Sequence, residues 1–239
     1  YLAKIYLDTA ELFAWTAVII VLSAFFEKII FYGVELFFRW NPVCRKPEMP
    51  QKTVTGEQQT LCVQNLGKCF YSSWIFRHVD CEFRPGKTYI MDAPSGSGKT
   101  TFIRCLCGLE QPEEGKVSGV KVFSIQFQEN RLCEDYSAVK NLEMILGDAR
   151  KARLALSQVL PEEVLDQPCR ELSGGMKRRV SMVRAMEAGA QCIFLDEPFT
   201  GLDDENIKKA EEYIHRNIKG RIMIIATHIK PCGKLADGK

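Results

Sequence analysis

The chain has 239 residues, of which 46% are hydrophobic and 26% are charged, enough to bury one sizeable core with some chain left over. Its 32 basic and 30 acidic side chains leave a formal net charge of +2. That balance excludes the strong positive field that gathers nucleic acid, so we expect no nucleic-acid partner.

An apolar stretch opens the chain. Residues 12–26 carry no charge, and the apolar run resumes after a single pair of charged residues, which makes it long enough to cross a bilayer. Trp15 and Trp40 flank the stretch and basic residues follow it, a pattern typical of a span whose C-terminal side faces the cytosol. Residues 1–40 are therefore predicted to form one transmembrane helix. A buried core helix and an amphipathic helix on the membrane surface are the alternatives.

A change in composition follows the apolar stretch. Residues 41–60 read NPVCRKPEMPQKTVTGEQQT, with prolines, many polar residues and no apolar periodicity. This composition predicts a linker, and residues 61–239 are then a domain of their own.

Short apolar runs alternate with helix-like stretches beyond the linker, which predicts an α/β domain with a largely parallel sheet. Four of the runs end on polar or glycine-rich segments: 87–93, 121–128, 192–197 and 221–228. Gln128, Asp196, Glu197 and His228 stand at three of these ends. Because the C-terminal ends of parallel strands meet at one edge of a sheet, we expect these groups to converge there on a ligand.

The segment APSGSGKTT at the first of these ends matches the P-loop pattern, except that Ala93 replaces its first glycine. Gly96 and Gly98 leave backbone N–H groups free to surround a phosphate, and the following helix adds its positive N-terminal end. Lys99 can reach the β- and γ-phosphates, and the Thr100 hydroxyl can bind Mg²⁺. We expect alanine to be tolerated at position 93 if that residue keeps a negative φ. A glycine-rich turn without a ligand is the alternative.

Two acids follow the apolar run that begins at Cys192. Asp196 is placed to hold Mg²⁺ through water, and Glu197 to accept a proton from an attacking water molecule, the division of tasks that phosphoryl transfer requires. A pair of solvated turn acids before Pro198 is the alternative.

The segment LSGGMKRRVSMVRAM, shortly before the acidic strand, resembles the signature motif of ABC-type ATPases, with Met176 where glutamine is usual. FTGLD after the acids is similar to the D-loop of that family. Gln128 stands where its Q-loop glutamine is expected and His228 where its switch histidine is expected. The order and spacing of these motifs match over residues 61–230.

The resemblance implies the fold of an ABC-type P-loop NTPase, with a mostly parallel sheet, an antiparallel β edge and a helical subdomain at about 130–172. It also implies that two such domains pair head to tail, with each ATP between the P-loop of one domain and the signature motif of the other. Two stretches with apolar residues at helical spacing, 139–146 and 149–160, are the expected helices of the subdomain.

Roles for individual residues follow from the same resemblance. The implied catalytic residues are Lys99, Gln128, Glu197 and His228. ATP is expected to contact Phe70, Ser95, Gly96, Ser97, Gly98, Lys99, Thr100, Thr101, Gln128, Ser173, Gly174, Gly175 and Asp203. The expected Mg²⁺ ligands are Thr100, Gln128 and Asp196. Phe70 is the expected stacking partner of adenine, with Tyr71 as the neighbouring alternative.

The apolar N-terminal stretch gains a meaning from this resemblance. It is similar to the C-terminal end of the permease in importers of the nitrate, sulfonate and taurine class, which also use an extracytoplasmic solute-binding protein. Tyr1 in place of an initiating methionine predicts that the chain is a piece of a longer permease–ATPase fusion in the cytoplasmic membrane. The expected activity is ATP hydrolysis that powers solute uptake. An exporter, a non-transport ABC ATPase and an inactive nucleotide-binding regulator are the alternatives.

Overall fold

A computed structural model describes residues 59–94 and 96–228, together with Leu22, Ser23, Phe26 and Lys28. The chain divides into two compact units, Tyr1–Gln51 and Lys52–Lys239. In the first unit, the four described residues are helical and exposed.

The predicted transmembrane helix over residues 1–40 and the predicted linker over 41–60 fall almost wholly outside the described residues. Among the residues that are described, no helix combines the length and the apolar character needed to cross a membrane.

The second unit contains both strands and helices. Its strands are β1 (Leu61–Phe70), β2 (Ser73–Phe83), β3 (Thr88–Met91), β4 (Glu114–Ser118), β5 (Phe123–Gln126), β6 (Cys192–Asp196) and β7 (Ile222–Ala226). Its α-helices are α1 (Lys99–Leu106), α2 (Ala138–Leu146), α3 (Ala149–Leu156), α4 (Gly174–Glu187) and α5 (Asp204–Asn217). Two single turns of 3₁₀ helix lie between α3 and α4, at Glu162–Val164 and Cys169–Glu171.

A four-stranded sheet in the order β3-β7-β6-β5 has parallel neighbours throughout, which confirms the prediction of a parallel sheet. In its register Met91 and Asp196 both pair with Ala226, and Gln126 pairs with Leu195. The C-terminal ends of the four strands therefore reach the same edge of the sheet.

The two central strands of this sheet are buried on both faces. Cys192 and Phe194 of β6 belong to one hydrophobic core, whereas Ile193 and Leu195 belong to another on the opposite face. Because side chains alternate along a strand, burial on both faces requires an uninterrupted apolar run. The sequence has such a run in both β6 and β7.

An antiparallel sheet covers one face, on the same side as α1. Its order is β2-β1-β4, and it is a sheet of its own, so the expected antiparallel edge of the parallel sheet is corrected to a separate layer. Register shifts within β1 interrupt its pairing with β2, as bulges do. Phe76 of β2 packs edge-on against Phe102 of α1, with ring centroids 5.4 Å apart.

Helices α2 to α5 form the layer on the other face. The side chains that precede them, Ser137, Asp148, Ser173 and Asp203, each accept a hydrogen bond from a backbone N–H of the first turn. Such caps contribute about 1 kcal/mol each to helix stability. The prediction of helices at 139–146 and 149–160 is confirmed, although the second ends at Leu156 because the chain turns there.

Candidate functional site

The glycine-rich loop connects β3 to α1 at the C-terminal edge of the parallel sheet. Gly96 and Gly98 have φ values of 80° and 91°, in the left-handed region that favours glycine. A side chain at position 98 would also overlap Ile75 of β2. Gly98 is the N-cap residue of α1, and no side chain caps this helix start. Ser95 lies outside the described residues.

Lys99 is the first residue of α1, and its side chain is buried over the loop. Its ammonium donates hydrogen bonds to the carbonyl oxygens of Ala93 at 2.5 Å and Pro94 at 3.1 Å. Ala93 is not among the described residues with positive φ, so alanine is accommodated at that position, as expected. The loop therefore holds one cation at the start of a helix, the arrangement that attracts a phosphate chain.

A hydroxyl and a carboxylate meet beside the loop. The Thr100 hydroxyl donates to Oδ2 of Asp196 at 2.6 Å, bringing α1 together with the end of β6. Asp196 is 2% exposed, and burial raises the pKa of its carboxyl above the ordinary value, with the Thr100 hydrogen bond opposing that rise. A buried carboxylate of this kind favours a nearby positive charge.

These two oxygens fit Mg²⁺. The ion prefers hard oxygen ligands and is often held by one or two carboxylates together with substrate phosphates. Among the described residues, no group of three or more His, Cys, Asp and Glu side chains could bind a metal by itself. A metal at Thr100 and Asp196 would need further oxygen ligands, which the Gln128 side chain and a bound phosphate chain could supply.

Glu197 lies next to Asp196 but has a different set of partners. Its Oε2 is 2.8 Å from Nδ1 of His228, and the same oxygen accepts a hydrogen bond from the Thr200 hydroxyl at 3.3 Å. Its backbone φ is 53°, an uncommon conformation for a residue other than glycine. Both of these side-chain contacts are made by Oε2.

One cavity of about 390 Å³ unites most of these predicted residues. It is lined by Ile75, Gly96, Gly98, Lys99, Thr100, Thr101, Gln128, Asp196 and Glu197. Gln128 is exposed there, two residues beyond the end of β5. The expected convergence of polar groups at the strand ends is therefore observed. We call this space the P-loop cavity.

A second cavity, of about 450 Å³, lies at the start of α4 and shares no lining residue with the first. Its lining includes Ser173, Gly174, Gly175 and Asp203. Ser173 is the N-cap of the 14-residue helix α4, and its hydroxyl oxygen accepts from the backbone N–H of Met176 at 3.2 Å. We call this space the signature cavity. The predicted ATP contacts are thus divided between two places on the chain.

Residues 76–200, more than half of the chain, match the ABC transporter family. The chain belongs to the ABC transporter family. Its predicted ABC-type ATPase domain is confirmed as a family assignment, and the motif residues Gly98, Lys99, Ser173 and Glu197 all lie within the matched segment.

Relatives within this family serve different transporters. The chain is 33% identical over 183 residues to an aliphatic sulfonates import ATP-binding protein of Nocardia farcinica, covering 73% of each chain. It is 32% identical over 146 residues to a zinc import ATP-binding protein of Pseudomonas putida, and spans 57% of that protein's length. It is 28% identical over 175 residues to a cytochrome c biogenesis ATP-binding export protein of Nitrosomonas europaea, covering 64% of this chain and 81% of the relative.

The fold of the ABC domain is also found among solved structures. A dimeric structure of the ATP-binding cassette MJ0796 bound to ADP and Pi superposes with a TM-score of 0.64 at 22% sequence identity. The match covers 71% of this chain and 88% of that cassette. This likeness supports the ABC-type fold.

Asp203, the predicted D-loop aspartate, lines the signature cavity, but its carboxylate makes hydrogen bonds within the chain. Asp203 caps α5, accepting hydrogen bonds from the backbone N–H of Asn206 at 2.8 Å and from its side-chain amide at 2.9 Å. The backbone hydrogen bond is the main reason why the pKa of Asp203 lies below its usual value.

Sequence reasoning missed Arg179 of the signature helix. Its buried guanidinium donates to Oδ1 of Asn206 at 2.6 Å and to the carbonyl oxygen of Val159 at 2.5 Å, and it lines the signature cavity. Arg179 thereby joins α4 to α5 and to the chain after α3. An arginine one helical turn after Gly175 was the available signal, but its partners are distant in sequence.

Phe70 and Tyr71, the two candidates for stacking on adenine, lie at the turn between β1 and β2. Phe70 is 40% exposed and Tyr71 is fully exposed, so neither belongs to the core. Tyr71 lies in the turn with a φ of 47°, whereas Phe70 is the last residue of β1. The structure therefore leaves both rings accessible to a ligand.

Proposed function

We propose that this chain is an ATP-hydrolysing component of an ABC transporter. The observation that supports this proposal most strongly is the P-loop cavity. In it the glycine-rich loop, the Thr100–Asp196 pair and Glu197 converge at one edge of the parallel sheet, and His228 contacts Glu197. A phosphate site, a metal site and a general base are the three parts that phosphoryl transfer to water needs.

The phosphates of ATP bind the loop in this proposal. The backbone N–H groups of Gly96 and Gly98 surround the β-phosphate, and the Lys99 ammonium moves from its carbonyl partners to the β- and γ-phosphates. The Ser97 N–H, which donates to the carbonyl oxygen of Pro94 at 3.2 Å, holds the turn of the loop closed. Ser95 and Thr101 provide further hydroxyl contacts.

Mg²⁺ would be held by Thr100, Gln128 and Asp196. When bound, the ion supplies positive charge that neutralises the phosphate oxygens. Asp196 keeps its carboxylate at the site because the Thr100 hydroxyl fixes the orientation of Oδ2.

Glu197 acts as the general base. As a water oxygen bonds to the γ-phosphorus, Oε1 of Glu197 takes its proton, the bond from the γ-phosphorus to the bridging oxygen breaks, and ADP leaves with that oxygen. His228 donates to Oε2 of the same carboxylate and holds it in place.

Two chains are proposed to complete each ATP site. The signature cavity presents the Ser173 hydroxyl and the N–H groups of Gly174 and Gly175, which suit the γ-phosphate of an ATP bound to the partner. Its separation from the P-loop cavity supports this arrangement, as does the dimeric state of the related cassette MJ0796.

The proposed domain organisation of the chain suits a transporter component. We propose a transmembrane helix at residues 1–40, a linker at 41–60 and the ABC domain at 61–239, with a helical subdomain at about 130–172. The chain would work on the cytoplasmic side of the cytoplasmic membrane, with permease subunits and an extracytoplasmic solute-binding protein.

We propose that the transporter works in the direction of uptake and that its solute is of the sulfonate, nitrate or taurine class. The sulfonate import relative, which matches over 73% of its own length, supports it. The export relative favours the alternative of an exporter. In proteoliposomes with the cognate permease, stimulation of ATP hydrolysis by a taurine-loaded or alkanesulfonate-loaded binding protein would support uptake. Stimulation by solute on the cytoplasmic side alone would contradict it.

The test of hydrolysis is Glu197→Gln, which removes the base and keeps the shape of the side chain. We expect the steady-state rate of ATP hydrolysis to fall by a factor of about 100 or more, while the Kd for ATP stays within about threefold. The matched control is Glu212→Gln, since Glu212 is an exposed carboxylate on α5 that pairs with Arg216. An unchanged rate in Glu197→Gln would contradict the role given to this carboxylate.

A further inference from the structure

Lys68 of β1 is buried, which is rare for lysine. Lys68 is 4% exposed, and its ammonium makes three polar contacts. It lies 2.9 Å from Oε1 of Glu110, 2.9 Å from Oε1 of Glu113 and 2.8 Å from the carbonyl oxygen of Gln111. Because an ammonium has three N–H donors, these contacts use its full capacity and fix the position of the cation.

The same ammonium lies 4.8 Å from the centre of the Phe70 ring, a distance typical of a cation–π contact. Glu113 also accepts a hydrogen bond from the backbone N–H of Cys69 at 2.9 Å, through its other carboxylate oxygen. One carboxylate therefore fixes both the cation and the backbone next to the ring. Hydrogen bonds with Glu110 and then Glu113 hold the pKa of Lys68 above its usual value, so the cation is permanent.

Phe70 is 40% exposed, so part of this residue remains open to a ligand. The hairpin that carries it also borders the P-loop cavity, since Ile75 of β2 lines that cavity beside Gly98. Phe76, the next residue, packs on α1, the helix that follows the loop. A partly exposed aromatic ring with a cation against it thus precedes the strand that lines the phosphate site.

We propose that Lys68 is a positioning residue that fixes the Phe70 ring as a stacking surface for the purine base of the nucleotide. The cation lies against the ring, and the exposed part of Phe70 is left for the base. A ring that is already held loses less conformational freedom when the base stacks on it. The proposal rests on the proposed ATP-binding function and adds to it the device that holds the base platform.

Binding of ATP and of inorganic tripolyphosphate to the full chain tests the proposal, because tripolyphosphate shares the phosphate chain but lacks the base. In Lys68→Met, which keeps the aliphatic stem, we expect ATP to bind at least about threefold more weakly. Tripolyphosphate affinity should stay within about twofold. Lys68→Arg should restore much of the ATP preference, because it keeps the cation.

Phe70→Ala links the effect to the ring. It should weaken ATP binding by about tenfold, the scale of a lost base–aromatic stack, and spare tripolyphosphate. In that background Lys68→Met should change the ratio of the two affinities no further, since contacts that act through one ring are not additive.

The matched control is Arg77→Met. The Arg77 guanidinium lies 4.3 Å from the ring centre of Trp74 on the same hairpin and pairs with Glu114. This variant therefore removes a similar cation from a different ring, and we expect it to leave the affinity ratio unchanged. If Arg77→Met lowers the ratio and Lys68→Met does not, Trp74 is the platform and the proposal is wrong.

Equal weakening of ATP and tripolyphosphate in Lys68→Met would show a general structural role and overturn the proposal. Unchanged binding of both ligands would overturn it too. If wild-type chain binds both ligands equally, the base has no platform, although the phosphate site stands. If wild-type chain binds neither, the proposed ATPase function itself fails. Should Lys68→Met not fold, Lys68→Arg and Phe70→Ala still decide, because Lys68→Arg must keep much of the ATP preference and Phe70→Ala must lose it.

Discussion

At the scale of single residues, Glu197 combines an uncommon backbone conformation with an ordered side chain. A φ of 53° costs energy for glutamate, and such strain persists where surrounding contacts enforce it. Here the Glu197 backbone N–H donates to the carbonyl oxygen of Ala226 at 2.8 Å, while His228 and Thr200 hold the carboxylate. Neighbouring Asp196 is held by Thr100 instead. The two acids therefore have separate partners, which suits separate tasks.

The pKa of Asp196 leads to a prediction about stability. Because burial raises this pKa, the ionised carboxylate destabilises the ligand-free fold at neutral pH relative to the protonated form. Asp196→Asn should therefore raise the Tm of the ligand-free protein at pH 7, while it abolishes the additional stabilisation by ATP with Mg²⁺. The difference should shrink as the pH falls through the raised pKa, because wild-type Asp196 then becomes neutral. Calorimetry at several pH values measures this.

Asp203→Asn is the matched control for that experiment. Its carboxylate is a helix cap whose pKa is lowered, so its ionised form stabilises the fold. This variant should lower the Tm at neutral pH. A lower Tm for Asp196→Asn as well would contradict the account of the buried carboxylate.

At the scale of elements, residues of α4 make hydrogen bonds with the segment around Gln128. Gln126 donates its side-chain amide to the carbonyl oxygen of Arg178 at 3.3 Å, and Arg178 donates to that of Phe127 at 3.3 Å. Arg184 donates to the carbonyl oxygen of Asn130 at 3.1 Å. The helix that begins at the signature motif thus holds the loop that presents Gln128 to the P-loop cavity.

Removing one of these contacts should loosen the loop. Arg184→Met keeps much of the aliphatic stem but leaves the Asn130 carbonyl without its donor, and we expect a loss of about 1 kcal/mol in the free energy of unfolding. The rate of ATP hydrolysis should fall severalfold, while tripolyphosphate affinity changes little. Arg216→Met, which removes an exposed partner of Glu212 on α5, should cost about 0.5 kcal/mol or less and keep the rate. Equal effects of the two variants would contradict the role of the contact.

Elements differ in how far the sequence predicts them, for a physical reason. Strands β6 and β7 are buried on both faces, so they are uninterrupted apolar runs whose ends could be located within two residues. The strands β1 and β2 were not predicted, because exposed faces and irregular register break the alternation of polar and apolar residues. For the same reason the sequence did not predict that the antiparallel strands form a separate sheet.

Site residues divide in the same way. Local sequence patterns predicted Lys99 at a glycine-rich loop, Asp196 at the end of a strand and Ser173 at the start of a helix. Buried Lys68 was not foreseen, because lysine is normally exposed and its acidic partner Glu113 lies 45 positions along the chain. Contacts between segments that are distant along the chain produce no recognisable residue spacing in the sequence.

At the scale of the whole molecule, we propose that the two cavities of one chain are complementary halves of an ATP site. The P-loop cavity has the cation and the carboxylates, and the signature cavity has the start of α4, yet the two share no lining residue. A second copy placed head to tail would bring each P-loop cavity against a signature cavity. Binding of ATP would then stabilise the dimer, and hydrolysis would release it.

The central claim is that two chains dimerise when they bind ATP. Its most direct test is the molecular mass of the Glu197→Gln protein in detergent solution. Light scattering measures that mass with and without ATP and Mg²⁺. Because this variant is expected to bind ATP without hydrolysing it, ATP should double the mass and give two bound nucleotides per dimer. Replacing Ser173 by arginine in the same background should fill the signature cavity, and the chain should then stay monomeric while it still binds ATP. Glu197→Gln protein that is saturated with ATP and remains monomeric would contradict the account.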